Sequence, residues 1–410
     1  MNYADPTRLG ILACPGGEQF ANEVIVHLKR LYRRRFDIKA ASLSKRYTLD
    51  KETVISKINF ANDIAIASNH NDGDILKFRT PAFKIPARFT YFPNGEIKSE
   101  ILDSIRGKDI YIFQDVENHH PLPFNDGKNM KVLSVNDHIM NLFVTVDAAK
   151  QAGAEKITLV IPVYPYSRQH KKKGREGLTA SRIGKILEAM GVDRIITLDI
   201  HSREIENAFN QLHMENLHAS YQIIRKLSQL TDIHSEDFVV VSPDTGAVDR
   251  NKFYATSLKK SLALLYKERD YSRVTQNALD NNIAEIKLLG NVEGKTVFMA
   301  DDMLGTGGTL IKAMKFLKDE GAKNIICAIS LPFFSGEAID LFEKAYQEGL
   351  FYRIIGTNAV YHEDLLKQEW YASVNITSLF AQTIFRLHHG RSLSSLLDNR
   401  DIIEKLISRA

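Results

Sequence analysis

Short apolar runs of strand length alternate along the chain with stretches in which apolar residues recur every three or four positions. The runs lie at Leu9–Ala13, Ile110–Phe113, Ile157–Pro162, Ile195–Leu198, Phe238–Val241 and Val297–Ala300. The intervening periodicity is that of amphipathic helices, as at Phe20, Val24 and Leu28. Alternation of strands and helices over this length predicts parallel sheets that are covered by helices on both faces.

Two polar stretches interrupt the alternation. The first runs from about residue 36 to residue 84 and follows a helix that we predict to end at Arg33–Arg35. It has few residues to bury, so we predict a surface insertion that is partly helical and partly irregular. The second stretch, at about residues 118–131, contains two prolines and a glycine and is predicted to be a loop insertion.

Composition limits the class of protein. With 410 residues, 44% hydrophobic and 25% charged, the chain can bury large cores, and we predict two domains. A net charge of +4 is too small for this length to indicate nucleic-acid binding. No apolar run approaches the roughly eighteen residues of a membrane span, and no signal peptide is evident, so we expect a cytoplasmic protein. Cys14 and Cys327 are expected to be free thiols in a reducing compartment.

The stretch Thr296–Thr309, which reads TVFMADDMLGTGGT, carries the strongest functional signal. Two adjacent carboxylates, Asp301 and Asp302, directly follow its apolar strand. Carboxylates cannot hold a phosphate, but they can accept hydrogen bonds from two neighbouring hydroxyls of a sugar or help to bind Mg²⁺. We therefore predict a diol site at the end of this strand.

A glycine-rich turn and a helix follow the carboxylates. Gly307 and Gly308 let backbone N–H groups approach an anion at the helix N-terminus, where the helix dipole adds positive potential. Thr306 and Thr309 add hydroxyl donors. The turn is suited to a phosphate monoester, and a phosphate site beside a diol site predicts ribose 5-phosphate.

Charged loops follow the other strands. The basic loop Tyr164–Arg175 contains Arg168 and Gln169, and its cations suit the oxygens of a polyphosphate. The next strand delivers Asp199 and His201 to the same edge of the sheet.

Two further groups come later in the chain. Ser242–Asp244 directly follows a strand, and Lys267 and Arg269 precede the polar stretch Asp270–Asn282, which is predicted to be a mobile loop. Two cations two positions apart on an extended segment are predicted to point the same way.

Taken in order, these motifs resemble the ribose-phosphate diphosphokinase (phosphoribosyl-pyrophosphate synthetase) family. The similar stretches are Phe92–Glu96 (FPNGE), Tyr166–Gln169 (YSRQ), Asp199–His201 (DIH), Ser242–Asp244 (SPD), Lys267–Arg269 (KER) and Asp301–Thr309 (DDMLGTGGT). The resemblance implies an α/β fold with two tandem type I phosphoribosyltransferase-like domains, each a mainly parallel sheet flanked by helices.

The resemblance also implies domain boundaries. The first domain is expected at residues 1–217, with the insertions near 36–84 and 118–131, and is completed by a C-terminal helix at 378–410. The second is expected at residues 218–377 and carries the ribose-phosphate loop. Leu262–Tyr266, which periodicity alone allows to extend a helix, is predicted on this ground to be a strand.

The activity implied is transfer of the diphosphoryl group of ATP to the anomeric hydroxyl of ribose 5-phosphate, giving 5-phosphoribosyl 1-pyrophosphate and AMP. By this resemblance ATP is expected to be bound by Phe92, Asn94, Glu96, Arg168 and Gln169, and ribose 5-phosphate by Asp301, Asp302, Thr306, Gly307, Gly308 and Thr309. Mg²⁺ is expected to be bound by His201 and Asp244. The transition state is expected to be stabilised by the catalytic residues Lys267 and Arg269. In this family adenine is met across a subunit boundary, which implies a homo-oligomer, a dimer or a hexamer.

Some positions depart from the family's pattern. Asn94 stands where the family has Asp, His170 and Lys171 replace an Asp-Arg pair, and Gly305 stands where the family has an acid beside the reacting ribose. Two alternatives to the enzyme therefore stay open. A non-catalytic regulatory homologue would share the fold and tolerate Gly305, whereas a phosphoribosyltransferase would share the glycine-rich loop without needing the second fold or the ATP loop.

Overall fold

The computed structural model describes residues 6–57, 81–172, 174–269 and 283–408. The chain divides into two compact units, each with a parallel sheet and flanking helices, as the predicted fold class requires. The first unit comprises the described part of Met1–Thr197, Ser202–Asn216 and Thr377–Leu396. The second comprises Leu198–His201, Leu217–Ile376 and the described part of Leu397–Ala410.

The described part of the first unit contains a five-stranded sheet whose first four strands pair in parallel. In sheet order these are β1 (Leu9–Ala13), β4 (Asp109–Phe113), β7 (Lys156–Val160), β8 (Arg194–Leu198) and β9 (His213–Leu217). Two antiparallel hairpins pair β2 (Ala87–Tyr91) with β3 (Ile97–Ile101), and β5 (Leu122–Phe124) with β6 (Asn129–Lys131). The helices are α1 (Glu18–Tyr47), α2 (Lys51–Lys57), α3 (Val135–Gln151), α4 (Thr179–Ala189) and α9 (Thr377–His388).

The described part of the second unit contains a seven-stranded sheet, parallel except for the pairing of β11 with β12. In sheet order the strands are β12 (Ile283–Leu289), β11 (Leu262–Arg269), β10 (Phe238–Ser242), β13 (Thr296–Leu304), β14 (Asn324–Pro332), β15 (Arg353–Thr357) and β16 (Tyr371–Val374). The helices are α5 (Ser220–Leu230), α6 (Val248–Leu258), α7 (Gly308–Asp319), α8 (Ala338–Gln347) and α11 (Arg400–Ile407). Helix α10 (Ser394–Leu397) spans the boundary between the units, and short 3₁₀ turns lie at Pro6–Arg8, Arg203–Ala208 and Leu365–Lys367.

The sheet of the second unit buries both of its faces. On one face Val297 and Met299 pack in a core cluster with Met314 of α7 and Phe342 of α8. On the other face the ring of Phe298 lies 5.2 Å from the ring of Tyr254 in α6. Because alternate residues of a strand face opposite sides, the continuous apolar run in β13 supplies both cores. The strand is thereby held firmly up to the point where its polar residues begin.

Helix α1 is longer than predicted. It continues through Arg33–Arg35 to Tyr47 and ends at Thr48, which has a left-handed φ of 56°. The prediction that it ends at the three arginines was wrong, because neither glycine nor proline follows them before Thr48 and Ala40 is fully buried. The remaining part of the predicted insertion, at residues 58–80, lies outside the described residues.

The second predicted insertion forms the hairpin β5–β6 rather than an irregular loop. Leu122 and Phe124 alternate with Pro123 and are buried with Leu133 in a small apolar cluster. This period-two pattern was hidden by the prolines, which an edge hairpin tolerates.

The chain crosses between the units at places that the sequence did not indicate. Leu198–His201, expected in the first domain, packs with the second unit, and so does the chain from Leu397 onward, which was expected to complete the first domain. Gly390, with a φ of 58°, follows the end of α9 and lets the chain turn, after which Asn399 and Ile403 are buried in the second unit.

Two other findings bear on the expected class of protein. Cys14 and Cys327 are buried free thiols, as predicted. Within the part of the chain that the structure describes, no helix combines the length and apolarity needed to cross a bilayer.

Candidate active site

The glycine-rich loop joins β13 to α7. Gly307 has a φ of 76°, and a Cβ there would lie 2.3 Å from Cε2 of Phe342, so backbone and packing both require glycine. Gly307, which has no side chain with which to cap the helix, is also the N-cap of α7, and a Cβ at Gly308 would meet no atom within 4 Å. Thr306 and Thr309 are both exposed. The helix thus starts with an accessible backbone, as at helix N-termini that bind phosphate.

The carboxylates Asp301 and Asp302 lie within β13. The strand extends to Leu304, beyond the predicted end at Ala300, because β14 continues to pair with it as far as Pro332. Both carboxylates are half-buried, and Oδ1 of Asp301 accepts a hydrogen bond of 2.8 Å from the backbone N–H of Asp302. The diol-binding residues predicted from the sequence are therefore held by a sheet and not by a flexible turn.

The environments of the two carboxylates are unequal. Burial raises the pKa of Asp301, and the negative charge of Asp302 raises it further, to about 7. Burial also acts to raise the pKa of Asp302, but the hydrogen bond with His201 and the positive charge of Arg250 outweigh it, so that this pKa lies below its ordinary value. Near neutral pH the pair therefore shares a proton, which resides mainly on Asp301.

Asp199 is the centre of a buried polar cluster in the second unit. Its side chain is 6% exposed; Oδ1 lies 2.8 Å from Nδ1 of His218 and 3.3 Å from Nη1 of Arg250, and Oδ2 accepts a 2.6 Å hydrogen bond from Ser330. Burial acts to raise the pKa of Asp199, but the charge of Arg250 and the bond with His218 outweigh it and hold the pKa well below the usual range. Asp199 is therefore ionised, and these contacts fix the chain two residues before His201.

Sequence reasoning missed three residues of this cluster, namely His218, Arg250 and Ser330. Ser330 had a recognisable signal, because it is the one hydroxyl in the apolar strand segment Ile325–Leu331. Arg250 also had one, since it lies in the first turn of a helix that follows a strand end, where the loops of such sheets carry functional residues. His218 had no local signal.

Asp244 follows β10 and shapes the turn into α6. Its Oδ1 accepts a 2.9 Å hydrogen bond from the backbone N–H of Ala247, and Ser242 donates a 2.7 Å hydrogen bond to its backbone oxygen. Asp244 is half-buried, and its charge contributes to the raised pKa of Asp301. The second unit thus brings Asp244 into the electrostatic range of the carboxylate pair.

The donor set fits Mg²⁺ only if the substrate supplies most of the ligands. Among the described residues, no three His, Cys, Asp or Glu side chains form a group that could hold a metal ion by themselves. Mg²⁺ in nucleotide sites commonly takes one or two protein ligands and completes its shell with phosphate oxygens and water. His201 and Asp244 are compatible with a partial site of that kind, although a histidine nitrogen is an unusual ligand for Mg²⁺.

The residues predicted to meet adenine lie together on the turn of the hairpin β2–β3 in the first unit. The N–H of Phe92 donates to the oxygen of Glu96 at 2.8 Å, and Oδ1 of Asn94 accepts from the N–H of Glu96 at 3.2 Å. Gly95 has a φ of 94°, in keeping with the predicted Asn-Gly turn. Phe92, Asn94 and Glu96 are all exposed. Asn94 uses its amide oxygen to fix the turn, as an aspartate could.

Arg168 and Gln169 lie on the loop that follows β7 in the first unit, and both are exposed. The backbone N–H of Gln169 donates to the oxygen of Tyr166 at 2.8 Å, and Tyr166 has a left-handed φ of 56°. The loop is therefore turned tightly just before its two polar side chains.

Lys267 and Arg269 lie at the end of β11. The predicted strand at Leu262–Tyr266 is confirmed and extends to Arg269. The register of β11 with β12 shifts between Glu268 and Arg269. The predicted mobile loop, Asp270–Asn282, lies outside the described residues.

A mainly parallel sheet with a glycine-rich loop and an acid pair at the end of one strand is typical of a phosphoribosyltransferase-type fold. Comparison with known families agrees: the model for the N-terminal domain of ribose phosphate pyrophosphokinase matches residues 79–191, and the phosphoribosyl transferase domain model matches residues 210–346.

Comparison with individual proteins defines the family more narrowly. The chain is 34% identical over 310 residues to ribose-phosphate pyrophosphokinase A of Dictyostelium discoideum, covering 75% of this chain and 88% of that protein. It is 33% identical over 307 residues to ribose-phosphate pyrophosphokinase 2 of Schizosaccharomyces pombe, covering 74% and 87%. A crystal structure of phosphoribosylpyrophosphate synthetase from Mycobacterium smegmatis aligns with a TM-score of 0.66 and 25% identity, covering 93% of this chain and 99% of that one. The chain belongs to the ribose-phosphate pyrophosphokinase family.

Proposed function

We propose that this protein transfers the diphosphoryl group of ATP to the anomeric hydroxyl of ribose 5-phosphate, giving 5-phosphoribosyl 1-pyrophosphate and AMP. The observation that carries the proposal is the presence of both family domains in one chain. The chain is also 34% identical to a ribose-phosphate pyrophosphokinase in an alignment that covers 88% of that protein. A phosphoribosyltransferase needs only the second of these domains, so that alternative leaves the first unexplained.

In this reaction the anomeric oxygen attacks the β-phosphorus of ATP. The new bond joins that oxygen to the β-phosphorus, the bond between the β-phosphorus and the oxygen bridging to the α-phosphorus breaks, and that oxygen leaves with AMP. The hydroxyl proton is released. The protein contributes chiefly by positioning the reactants and by stabilising negative charge in the transition state.

Ribose 5-phosphate would be held at the loop between β13 and α7. The N-terminus of α7, with Thr306, Gly307, Gly308 and Thr309, would bind the 5-phosphate. The shared proton of the carboxylate pair suits a diol, since a protonated Asp301 can donate to one hydroxyl oxygen while an ionised Asp302 accepts from the other hydroxyl.

ATP would be bound by residues of the first unit. Arg168 and Gln169 would hold the phosphates, and the turn with Phe92, Asn94 and Glu96 would meet adenine, across a subunit boundary in a homo-oligomer.

His201 and Asp244 would hold Mg²⁺, which when bound neutralises phosphate charge. Lys267 and Arg269 would stabilise the transition state.

A non-catalytic homologue is the second candidate, and Gly305 is the observation that favours it. This residue removes an acid that the family carries beside the reacting ribose. Against it, the acid pair, Gly307 and Gly308 of the loop and the two cations of the KER motif are present in the chain.

The test is stoichiometric. Purified protein is incubated with ATP, MgCl₂ and ribose 5-phosphate, and AMP and 5-phosphoribosyl 1-pyrophosphate are quantified by chromatography. We expect equal amounts of both products and none when ribose 5-phosphate is omitted or EDTA is added. The matched control is the double variant Asp301→Asn with Asp302→Asn. AMP release that does not need ribose 5-phosphate, or no release at all, would overturn the proposal, and the second result would favour the non-catalytic homologue.

A further inference from the structure

Asn251, in the first turn of α6, binds both backbone groups of a single residue in β13. Its Oδ1 accepts a 2.9 Å hydrogen bond from the N–H of Ala300, and its Nδ2 donates a 2.8 Å hydrogen bond to the oxygen of Ala300. Nδ2 also donates to the oxygen of Ala247 at 2.9 Å, so both of its hydrogens are used. Asn251 is fully buried.

The contact between Asn251 and Ala300 lies just beyond the point where the pairing of β10 with β13 ends. Strands β10 and β13 pair only as far as Val240 and Phe298, although β10 itself continues to Ser242. The N–H of Thr296 donates to Asp237 on the β10 side, and Ala300, four residues later in a strand of period two, is oriented the same way. Ala300 is 2% exposed, so its N–H and C=O would otherwise be buried without a strand partner. The amide of Asn251 acts as the missing peptide group.

Ala300 directly precedes the carboxylates. On its other side β13 is held by β14, with Asp301 opposite Ile329. Asn251 therefore binds the strand from the β10 side directly before Asp301 and Asp302, beyond the last residue pair that β10 forms with β13.

The same amide also connects to the loop that carries Asp244. Oδ1 of Asp244 accepts from the N–H of Ala247, and the oxygen of Ala247 accepts from Nδ2 of Asn251, which binds Ala300. A continuous series of hydrogen bonds thus joins the turn at Asp244 to the strand that bears the two carboxylates, all within the second unit.

We propose that Asn251 is a positioning residue that sets the ribose-binding carboxylates, Asp301 and Asp302, at a fixed place relative to Asp244. The proposal rests on the proposed function for the identity of the ligand. It assigns Asn251 no contact with substrate. Its effect is on where the diol acids lie, and misplacement of binding groups by about 1 Å can cost two orders of magnitude in rate.

The test compares Asn251→Ala and Asn251→Leu with a matched control, Val297→Ala. Val297 is likewise fully buried and lies on the same strand three residues before Ala300, but it contacts the core on the opposite face. For each protein we measure the melting temperature, the Kd of ribose 5-phosphate by calorimetry, and the KM values of ribose 5-phosphate and ATP. Asn251→Ser, which replaces the amide by a shorter hydroxyl that cannot reach both backbone groups of Ala300, is used in place of either variant that fails to fold.

We expect every variant to lower the melting temperature. The Asn251 variants alone should raise the Kd and KM of ribose 5-phosphate, by about tenfold or more, with the KM of ATP changed no more than a few-fold. Equal ribose 5-phosphate affinity in the Asn251 variants and the Val297→Ala control would overturn the proposal and leave Asn251 a packing residue.

Failure of the proposed function gives a different result. If the wild-type protein forms no 5-phosphoribosyl 1-pyrophosphate, the positioning role is decided by calorimetry with ribose 5-phosphate and by hydrogen exchange at the Ala300 amide. We expect that amide to be protected in the wild type and in Val297→Ala but to exchange at least tenfold faster in Asn251→Ala. Unchanged exchange at Ala300 in Asn251→Ala would overturn the role whether or not the protein is catalytic.

Discussion

Nδ1 of His201 lies 2.7 Å from Oδ2 of Asp302. The sequence assigned these residues to different ligands, a metal ion and a sugar diol, yet they are bonded to each other. The bond favours the ionised form of Asp302, and the charge of Asp302 in turn favours the protonated form of Asp301. A change at His201 should therefore reach the diol site through the carboxylate pair.

Because the pKa of Asp301 is raised and that of Asp302 is lowered, we predict that the asparagine variants of these two residues respond differently to pH. Below pH 7 Asp301 is largely protonated, because burial and the charge of Asp302 raise its pKa to about 7. Asparagine resembles that neutral acid and keeps an N–H donor, so Asp301→Asn should change the KM of ribose 5-phosphate little at pH 6. At pH 8.5 the wild-type carboxyl has lost the proton that it donates to the diol, so the KM of Asp301→Asn should then be equal to or below that of the wild type. Asp302→Asn should raise the KM at both pH values, by roughly tenfold or more, the value of a charge-assisted hydrogen bond of about 1.5–3 kcal/mol.

The measurement is the ratio of each variant's KM to that of the wild type at the same pH, since this ratio cancels titration of the substrate phosphate. A KM ratio for Asp301→Asn that is higher at pH 8.5 than at pH 6 would contradict the assignment of the shared proton.

The sequence predicted the elements whose signals are local. The strand before Asp301, the glycine turn and the start of α7 all depend on neighbouring residues, and the structure contains them. The Asn251 amide could not be predicted, because it binds Ala300, which is 49 residues away, at a point set by the divergence of two strands. The extension of β13 through the carboxylates likewise depends on how far β14 accompanies it. Local patterns thus located the strand, the turn and the helix start, and long-range contacts determined their geometry.

Gly305 offers a direct test of the missing acid. Its backbone oxygen accepts a 3.1 Å hydrogen bond from the N–H of Ser335, a bond that a change of side chain need not break. Gly305→Asp places a carboxylate where the family is expected to carry an acid and should raise kcat, whereas the uncharged control Gly305→Asn should not. The readout is kcat at saturating substrates, with the melting temperature as a check on folding. If Asp and Asn have the same effect on kcat, charge at this position does not assist the reaction.

His389 predicts how the stability of the first unit depends on pH. Burial lowers the pKa of His389, and the positive charges of Arg35, His388 and Arg391 lower it further, to about 3. The folded protein thus keeps this imidazole neutral, with Nε2 3.0 Å from the hydroxyl of Tyr32, whereas the unfolded chain takes up a proton below about pH 6.5. The unfolded state then binds more protons, so stability should be lost as the pH falls from about 6.5 towards 3.

The variant His389→Gln removes this titration and keeps a hydrogen-bonding side chain. Between pH 7.5 and pH 5, the urea midpoint of unfolding should fall more steeply for the wild type than for His389→Gln. Every other ionisable group is common to both proteins, so parallel pH dependences would show that His389 is not held neutral in the folded protein.

Lys267 and Arg269 give the sharpest distinction between an enzyme and a non-catalytic homologue. Both lie at the end of β11, at the border of the stretch Asp270–Asn282 that the sequence predicts to be a mobile loop. A cation that meets charge only in a phosphoryl-transfer transition state contributes about 10³-fold or more to the rate, roughly 4 kcal/mol, whereas an exposed salt bridge contributes less than about 1 kcal/mol. Lys267→Ala and Arg269→Ala should each lower kcat by that larger factor, leave the KM values within a few-fold and keep the melting temperature. Lys323→Ala, an exposed cation just before β14, is the matched control and should retain full activity. Turnover near that of this control in both β11 variants would remove the catalytic assignment and favour a non-catalytic member of the family.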